Sequence, residues 1–213
     1  MKTTGTIIIF AAILVASCSQ SESEVASENS SGDGTTISTD TSEINSGNVV
    51  VEDELENNCT VSVDAYIADP DASGPTNVRS SPNGKVVLEL IHDGEEYEEY
   101  FLSLVGSQDG WFKVEDKIDG IVNAYSIPGG LGWIHGSVIG VDTRNYGGET
   151  LDFYESADEN SKVVATIKSE KHFKLKDSCG DWTQVEGSDE KGKKFVGWIK
   201  NEWLCGNPLT TCS

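Results

Sequence analysis

Long apolar runs are nearly absent from this 213-residue chain. The one stretch that qualifies, Ile7 to Ala16, is about half the ~20 residues that a bilayer span requires. It fits the apolar core of a cleaved signal peptide instead. Basic residues are scarce as well: 15 Lys and Arg stand against 36 Asp and Glu, for a formal charge of -21. A surface this acidic repels nucleic acid and anionic lipid, so a polyanion is excluded as a partner. Only three histidines occur, His92, His135 and His172, and none lies at zinc-ligand spacing from a cysteine pair. No metal and no cofactor is expected. Hydrolase signatures are missing too: there is no Gly-x-Ser-x-Gly, no His-Glu-x-x-His and no phosphate loop. Asp69-Pro70-Asp71 lacks the alternating acids and closing glutamate of an EF-hand and reads as a turn. No stretch is left over for a nucleophile and its histidine base, so the chain is not expected to be an enzyme. Apolar residues at helical spacing are absent from every window.

What is present is strongly ordered along the chain. A single early cation, Lys2, precedes the apolar run, which ends at Leu14-Val15-Ala16-Ser17-Cys18. This arrangement resembles a bacterial lipoprotein signal with its lipobox. The resemblance implies a signal peptide over residues 1–17, acylation of Cys18, and a protein lipid-anchored in the cell envelope. Residues 18–57 follow as an acidic, Ser/Thr-rich linker, with ten acidic residues and no lysine or arginine between Ser19 and Asn58. Such a segment buries too little apolar surface to offset its ordering entropy and is expected to be disordered. Ser19-Gln20-Ser21-Glu22-Ser23-Glu24 resembles the acidic signals that send some lipoproteins to the cell surface; the inner leaflet of the outer membrane is the alternative address.

Four cysteines remain beyond Cys18: Cys59, Cys179, Cys205 and Cys212. An even count in an oxidising compartment predicts two disulfides, and spacing does not choose among the three pairings. From Cys59 onward, short β-rich runs alternate with Gly, Asn, Asp and Ser turns. They include Lys85 to Ile91, Trp111 to Glu115, Gly132 to Ile134, Val163 to Ile167, His172 to Lys176, Trp182 to Glu186 and Phe195 to Ile199. Several have the period of a half-buried strand, as in Trp182-Thr183-Gln184-Val185-Glu186. Many short strands at close spacing predict an all-β fold.

The pattern occurs twice. Thr76-Asn77-Val78-Arg79-Ser80-Ser81-Pro82, Lys85-Val86-Val87, Gly110-Trp111-Phe112-Lys113-Val114 and Gly132-Trp133-Ile134 form the first copy. Leu151-Asp152-Phe153-Tyr154, Lys162-Val163-Val164, Asp181-Trp182-Thr183-Gln184-Val185 and Gly197-Trp198-Ile199 form the second. Order and spacing agree, so two copies of one module are expected. Asn-Val-Arg-Ser-x-Pro followed by Val-Val, Trp-x-x-Val and Gly-Trp-Ile resembles the bacterial SH3 domain. The second copy lacks Asn-Val-Arg. The resemblance implies two small SH3-like barrels in tandem, over residues 58–140 and 141–213. Asp142, Asn145, Gly147 and Gly148 predict a linker between them that tolerates a cut. It also implies a binding role, to a peptidoglycan peptide or glycan or to an envelope protein; the alternative is a structural or assembly lipoprotein of an envelope complex. Val114 and Val185 are expected in the cores, with Ile134 and Ile199 facing inward. Ligand-binding candidates are Tyr97, Tyr100, Trp111 and Tyr125, near insertions that the second copy lacks. Glutamates around Tyr97 and Tyr100 favour a cationic partner there.

Overall fold

The computed structural model describes residues 59–71, 73–92 and 99–212. The signal peptide, Cys18, the linker and Tyr97 lie outside the described residues. Within them the chain is all-β, with no α-helix. The strands are β1 (Val63–Ile67), β2 (Thr76–Arg79), β3 (Val86–Leu90), β4 (Tyr100–Gln108), β5 (Trp111–Gly120), β6 (Ala124–His135) and β7 (Ile139–Thr143). They continue with β8 (Leu151–Tyr154), β9 (Val163–Ile167), β10 (His172–Cys179), β11 (Trp182–Ser188), β12 (Lys194–Lys200) and β13 (Leu204–Cys205). Each run expected from alternation falls in or across one of these strands.

Pairing follows one path, β3-β2-β6-β5-β4-β1-β7-β10-β11-β12-β8-β9, with β13 added on β7. All strand pairs are antiparallel. The path contains its own repetition. The order β3-β2-β6-β5-β4 is matched, strand for strand, by β9-β8-β12-β11-β10. A 3-10 turn follows each block, Gly136–Val138 and Asn201–Trp203, and leads into β7 and β13 respectively. The repeat read from tryptophans is therefore a repeat of hydrogen-bond pairing.

Alternation places the core. In β5, Phe112 and Val114 are fully buried while Trp111 and Lys113 are half-exposed. In β11, Thr183 and Val185 are buried and Trp182 and Gln184 are half-exposed. Ile134 and Ile199 face inward, as the Gly-Trp-Ile blocks predict. The glycines of those blocks act through contact. A Cβ on Gly132 would lie 2.4 Å from Val78 Cγ1, and one on Gly197 would lie 2.8 Å from Val164 Cγ2. Phe153, Phe173 and Phe195 pack edge to face or tilted around the second core, with centroids 4.8–5.7 Å apart.

Strand β7 joins the two blocks. Along one edge, Ile139 and Gly140 pair with Ile67 and Tyr66 of β1. Further along that edge, Asp142 and Thr143 pair with Cys205 and Leu204 of β13. On the opposite edge, Gly140, Val141 and Asp142 pair with Lys174, Phe173 and His172 of β10. The expected boundary at residues 140 and 141 thus falls inside a strand that serves both blocks. The turn that follows is built by Asn145, which is 3% exposed. Its Oδ1 accepts from Thr143 Oγ1 at 3.0 Å and its Nδ2 donates to Glu149 O at 3.2 Å.

Other contacts close the seam. The disulfides pair Cys59 with Cys179 and Cys205 with Cys212. The first ties the chain before β1 to the end of β10, where Gly180 N donates to Thr60 O at 2.9 Å. Ser107 Oγ donates to Asp177 Oδ1 at 2.6 Å, from the β4 end of one block to β10 of the other. Gly136 packs so closely on β10 that a Cβ there would lie 2.3 Å from Leu175 O. Lys174 Nζ donates to Ala68 O, and burial holds its pKa below the usual lysine range.

A carboxylate fastens the outermost hairpin of the second block. Glu190 accepts from the backbone N–H of Lys168 (2.8 Å) and of Ser169 (2.9 Å), and from Ser169 Oγ. These donors, the Lys168 N–H first, push its pKa down to about 2 from 4.5. A depressed carboxylate stabilises the fold above its unfolded pKa and loses that effect as pH falls through its folded pKa. The thermal midpoint of Glu190→Gln should therefore lie below that of the parent above pH 4.5, and the gap should close as pH approaches about 2. A gap that does not change across that window would remove Glu190 as its cause.

Candidate functional site: paired tryptophan faces

The four sequence-derived candidates do not form one groove. Tyr97 is outside the described residues. Tyr100 is 1% exposed, and its hydroxyl donates to Ile91 O at 2.6 Å, so it is a core residue. Tyr125 is half-exposed on β6, with its ring 5.4 Å from that of Tyr100. Trp111 lies at the other end of the same hairpin. It pairs with His135, whereas Tyr125 pairs with Ile118. Seven residues of strand at ~3.3 Å each separate the two by roughly 20 Å.

Near Trp111 a different cluster assembles, from strand ends that are distant in sequence. On the outer face of the first block, Trp111 is opposite His135, Lys113 is opposite Trp133, and Trp133 is opposite Arg79. The Arg79 guanidinium stands 6.0 Å from the Trp111 ring centroid, within cation–π range. Its Nη1 donates to Gly84 O at 2.8 Å, which holds the turn Ser80 to Gly84. His135 packs edge-on against Trp111 at 5.1 Å. Ser137 N donates to His135 Nδ1 at 3.3 Å, and that nitrogen also lies 2.8 Å from Ser137 Oγ.

The second block presents the same face with different chemistry. Trp182 is opposite Lys200, Gln184 is opposite Trp198, and Trp198 is opposite Tyr154. Tyr154 meets Trp182 edge-on at 5.7 Å, and Lys200 Nζ stands 5.8 Å from the Trp182 centroid. Lys200 is paired with Glu159 Oε1 at 2.5 Å, which pushes the lysine pKa up. A shallow cavity of about 130 Å³ beside this face is lined by Tyr154, Glu159, Lys200 and Trp203, among others. All four repeat tryptophans are half-exposed, so none is spent on a core.

A groove of about 360 Å³ lies between β1, β4, β5 and the Cys205–Cys212 loop, and Asp64, Glu115, Asp116 and Asp119 line it with Lys117. Asp116 sits at φ 59°, in the bulge where Glu115 and Lys117 lose register. No group of three or more His, Cys, Asp or Glu able to hold a metal occurs among the described residues.

Alternation alone would have located the tryptophan faces. Trp111 shares its phase with Lys113 and Glu115, and Trp182 shares its phase with Gln184 and Glu186. A large aromatic in the polar phase of a strand points outward. Arg79 and His135 carry no such signal, because only the β2–β6 and β5–β6 registers bring them together.

No known protein family matches the chain, and no curated protein matches it. Among solved structures it is similar to NlpC1 from Trichomonas vaginalis, at 12% identity and a TM-score of 0.28. It is likewise similar to NlpC2 from Trichomonas vaginalis, at 10% identity and a TM-score of 0.27. Each alignment covers 68% of this chain, and 45% and 48% of those proteins, so the chain spans about half their length.

Proposed function

We propose that this protein is a lipid-anchored, non-catalytic binding module of the cell envelope, in which two SH3-like units recognise a peptide, glycan or protein ligand. The matched outward tryptophans carry this reading. Trp111 with Trp133, and Trp182 with Trp198, occupy equivalent positions on two blocks of identical pairing order. Each of these indoles lies outside the cores and leaves part of its surface open. Tryptophan and arginine dominate binding hot spots because they offer large, rigid contact area. The SH3-like assignment rests on the strand order, on the 3-10 turn before β7 and β13, and on the motif blocks. The anchor rests on the lipobox at Cys18, and the acidic linker sets the units off the membrane.

The runner-up is an assembly role in which a partner subunit adds a strand. The sheet path ends at β3 and β9, with Val86 and Val163 41% and 43% exposed. Ends of this kind accept β-augmentation.

One experiment separates the two readings. The oxidised protein is passed over purified peptidoglycan and, separately, over solubilised envelope protein. Trp133→Ala and Trp198→Ala should each weaken retention by about 1–2 kcal/mol while leaving the thermal midpoint nearly unchanged. Retention that ignores both tryptophans and is lost on changing Val86 and Val163 to Lys would favour the assembly role. In the same preparation Cys18→Ala should leave the detergent phase; unchanged partitioning would remove the lipid anchor.

A further inference from the structure

We propose that the outer face of the first block, and not that of the second, binds the free terminal carboxylate of a short peptide, with Arg79 as its anchor. This inference rests on the binding-module reading and names the chemistry of one of its two faces. Arg79 is a cation set beside a tryptophan ring, in a chain with 36 acidic and 15 basic residues. Like most lysines and the other arginine among the described residues, Arg79 is in no ion pair, whereas Lys200 of the second face is in one. The one hydrogen bond of Arg79 uses Nη1, toward Gly84 O. The other guanidinium N–H groups remain as donors, and a planar donor pair matches a carboxylate edge.

The surroundings favour a small anion with an apolar neighbour. Trp111 lies beside the guanidinium, Trp133 is the cross-strand partner of Arg79, and both are half-exposed, so they offer area to the side chains next to a terminal carboxylate. Lys113 stands opposite Trp133 on the same face, where it is paired with Glu115 at 3.6 Å, and His135 adds an imidazole beside Trp111. An arginine guanidinium is also more weakly hydrated than a lysine ammonium, which lowers the cost of closing a ligand over it. The overall charge of -21 works against anything more highly charged, such as a phosphate polymer or an anionic bilayer. One carboxylate on an otherwise neutral chain meets both conditions.

The second face is a control built into the molecule. Tyr154 replaces Arg79, Lys200 replaces His135, and Gln184 replaces Lys113, as judged by equivalent strand registers. The cation beside Trp182, Lys200, is already paired with Glu159 at 2.5 Å. The two faces therefore share their tryptophans and differ in whether the cation beside the first tryptophan has a carboxylate partner.

The test is a titration of the oxidised, full-length protein in detergent with acetyl-alanyl-alanine and with its C-terminal amide, read on the indole N–H resonances. The free acid should bind at least tenfold more tightly than the amide, shift the Trp111 and Trp133 signals, and weaken as salt rises. Arg79→Gln should abolish the difference between acid and amide. Arg79→Lys, which keeps charge and loses the planar donor pair, should restore only part of it. Lys200→Gln should leave it unchanged. Equal response to acid and amide up to about 10 mM would overturn the proposal. So would an Arg79→Gln protein of unchanged thermal midpoint that still prefers the acid, or tighter binding of a galacturonic acid trimer than of the peptide. Retention on envelope material without any acid preference would remove this inference alone and leave the binding-module reading standing.

Discussion

A fragment covering residues 145–212 is expected not to fold, whereas one covering residues 139–212 is expected to show cooperative unfolding. The two differ only by β7 and one arginine. Strands β10 and β13 both pair with β7, on opposite edges, so its removal leaves β13 unpaired and β10 with β11 alone. Val141 and Thr143 are both 0% exposed, and their loss opens the second core from one side. The first block is less affected by a cut after Arg144, because residues 59–144 keep β1 through β7. Circular dichroism with urea unfolding, on fragments whose unpaired Cys59 or Cys179 is changed to Ser, measures the asymmetry. Equal, cooperative folding of 145–212 and 139–212 would show that β7 is dispensable to the second block. A cut after Arg144 is therefore expected to be tolerated by the first block and not by the second.

The second large effect is expected from the Cys59–Cys179 bridge, which closes a loop of 120 residues. Cross-linking residues that far apart removes much of the unfolded chain's freedom, by about 5 kcal/mol on the loop-closure relation. The Cys205–Cys212 bridge closes a separation of 7 and should contribute about half as much. The total stability of a domain this size is of order 5–15 kcal/mol. Cys59→Ser with Cys179→Ser should therefore bring the protein close to unfolding at physiological temperature. Cys205→Ser with Cys212→Ser should leave a folded protein with a lower midpoint. Urea midpoints of both double variants give the comparison; a long-range variant that loses less than the short-range one would contradict the ranking. The long bridge also fastens Thr60 and Val61 to Gly180, where one parallel bridge and one backbone hydrogen bond span the two blocks.

Much of this was readable in the residues, and the limits are physical. Val163 to Ile167 reads as a strand because β-branched residues dominate it, and β9 occupies those residues. The phase of Trp111 and Trp182 was equally available, since each shares its side of the strand with polar residues. Tyr100 shares its phase with Leu102 and Leu104, and all three are buried. That phase marks Tyr100 as core rather than ligand platform. Tyr125 lies in β6 rather than in a loop, because the insertion that holds it extends the β5–β6 hairpin. Ile139-Gly140-Val141-Asp142-Thr143 alternates like any strand, and nothing local separates a strand with one partner from one with three.

By itself the sequence determined the fold class, the twofold repeat, the inward valines and isoleucines, and the presence of an even set of cysteines. All of these follow from period-two patterning, turn chemistry and composition, which act over a few residues. Tertiary structure alone decided which cysteines meet, that β7 is shared, and that Arg79 comes to rest against Trp111 while Lys200 finds Glu159. Those outcomes depend on register between strands 30 to 120 residues apart in the chain. Register is set by the whole core packing at once, so no window of sequence contains it.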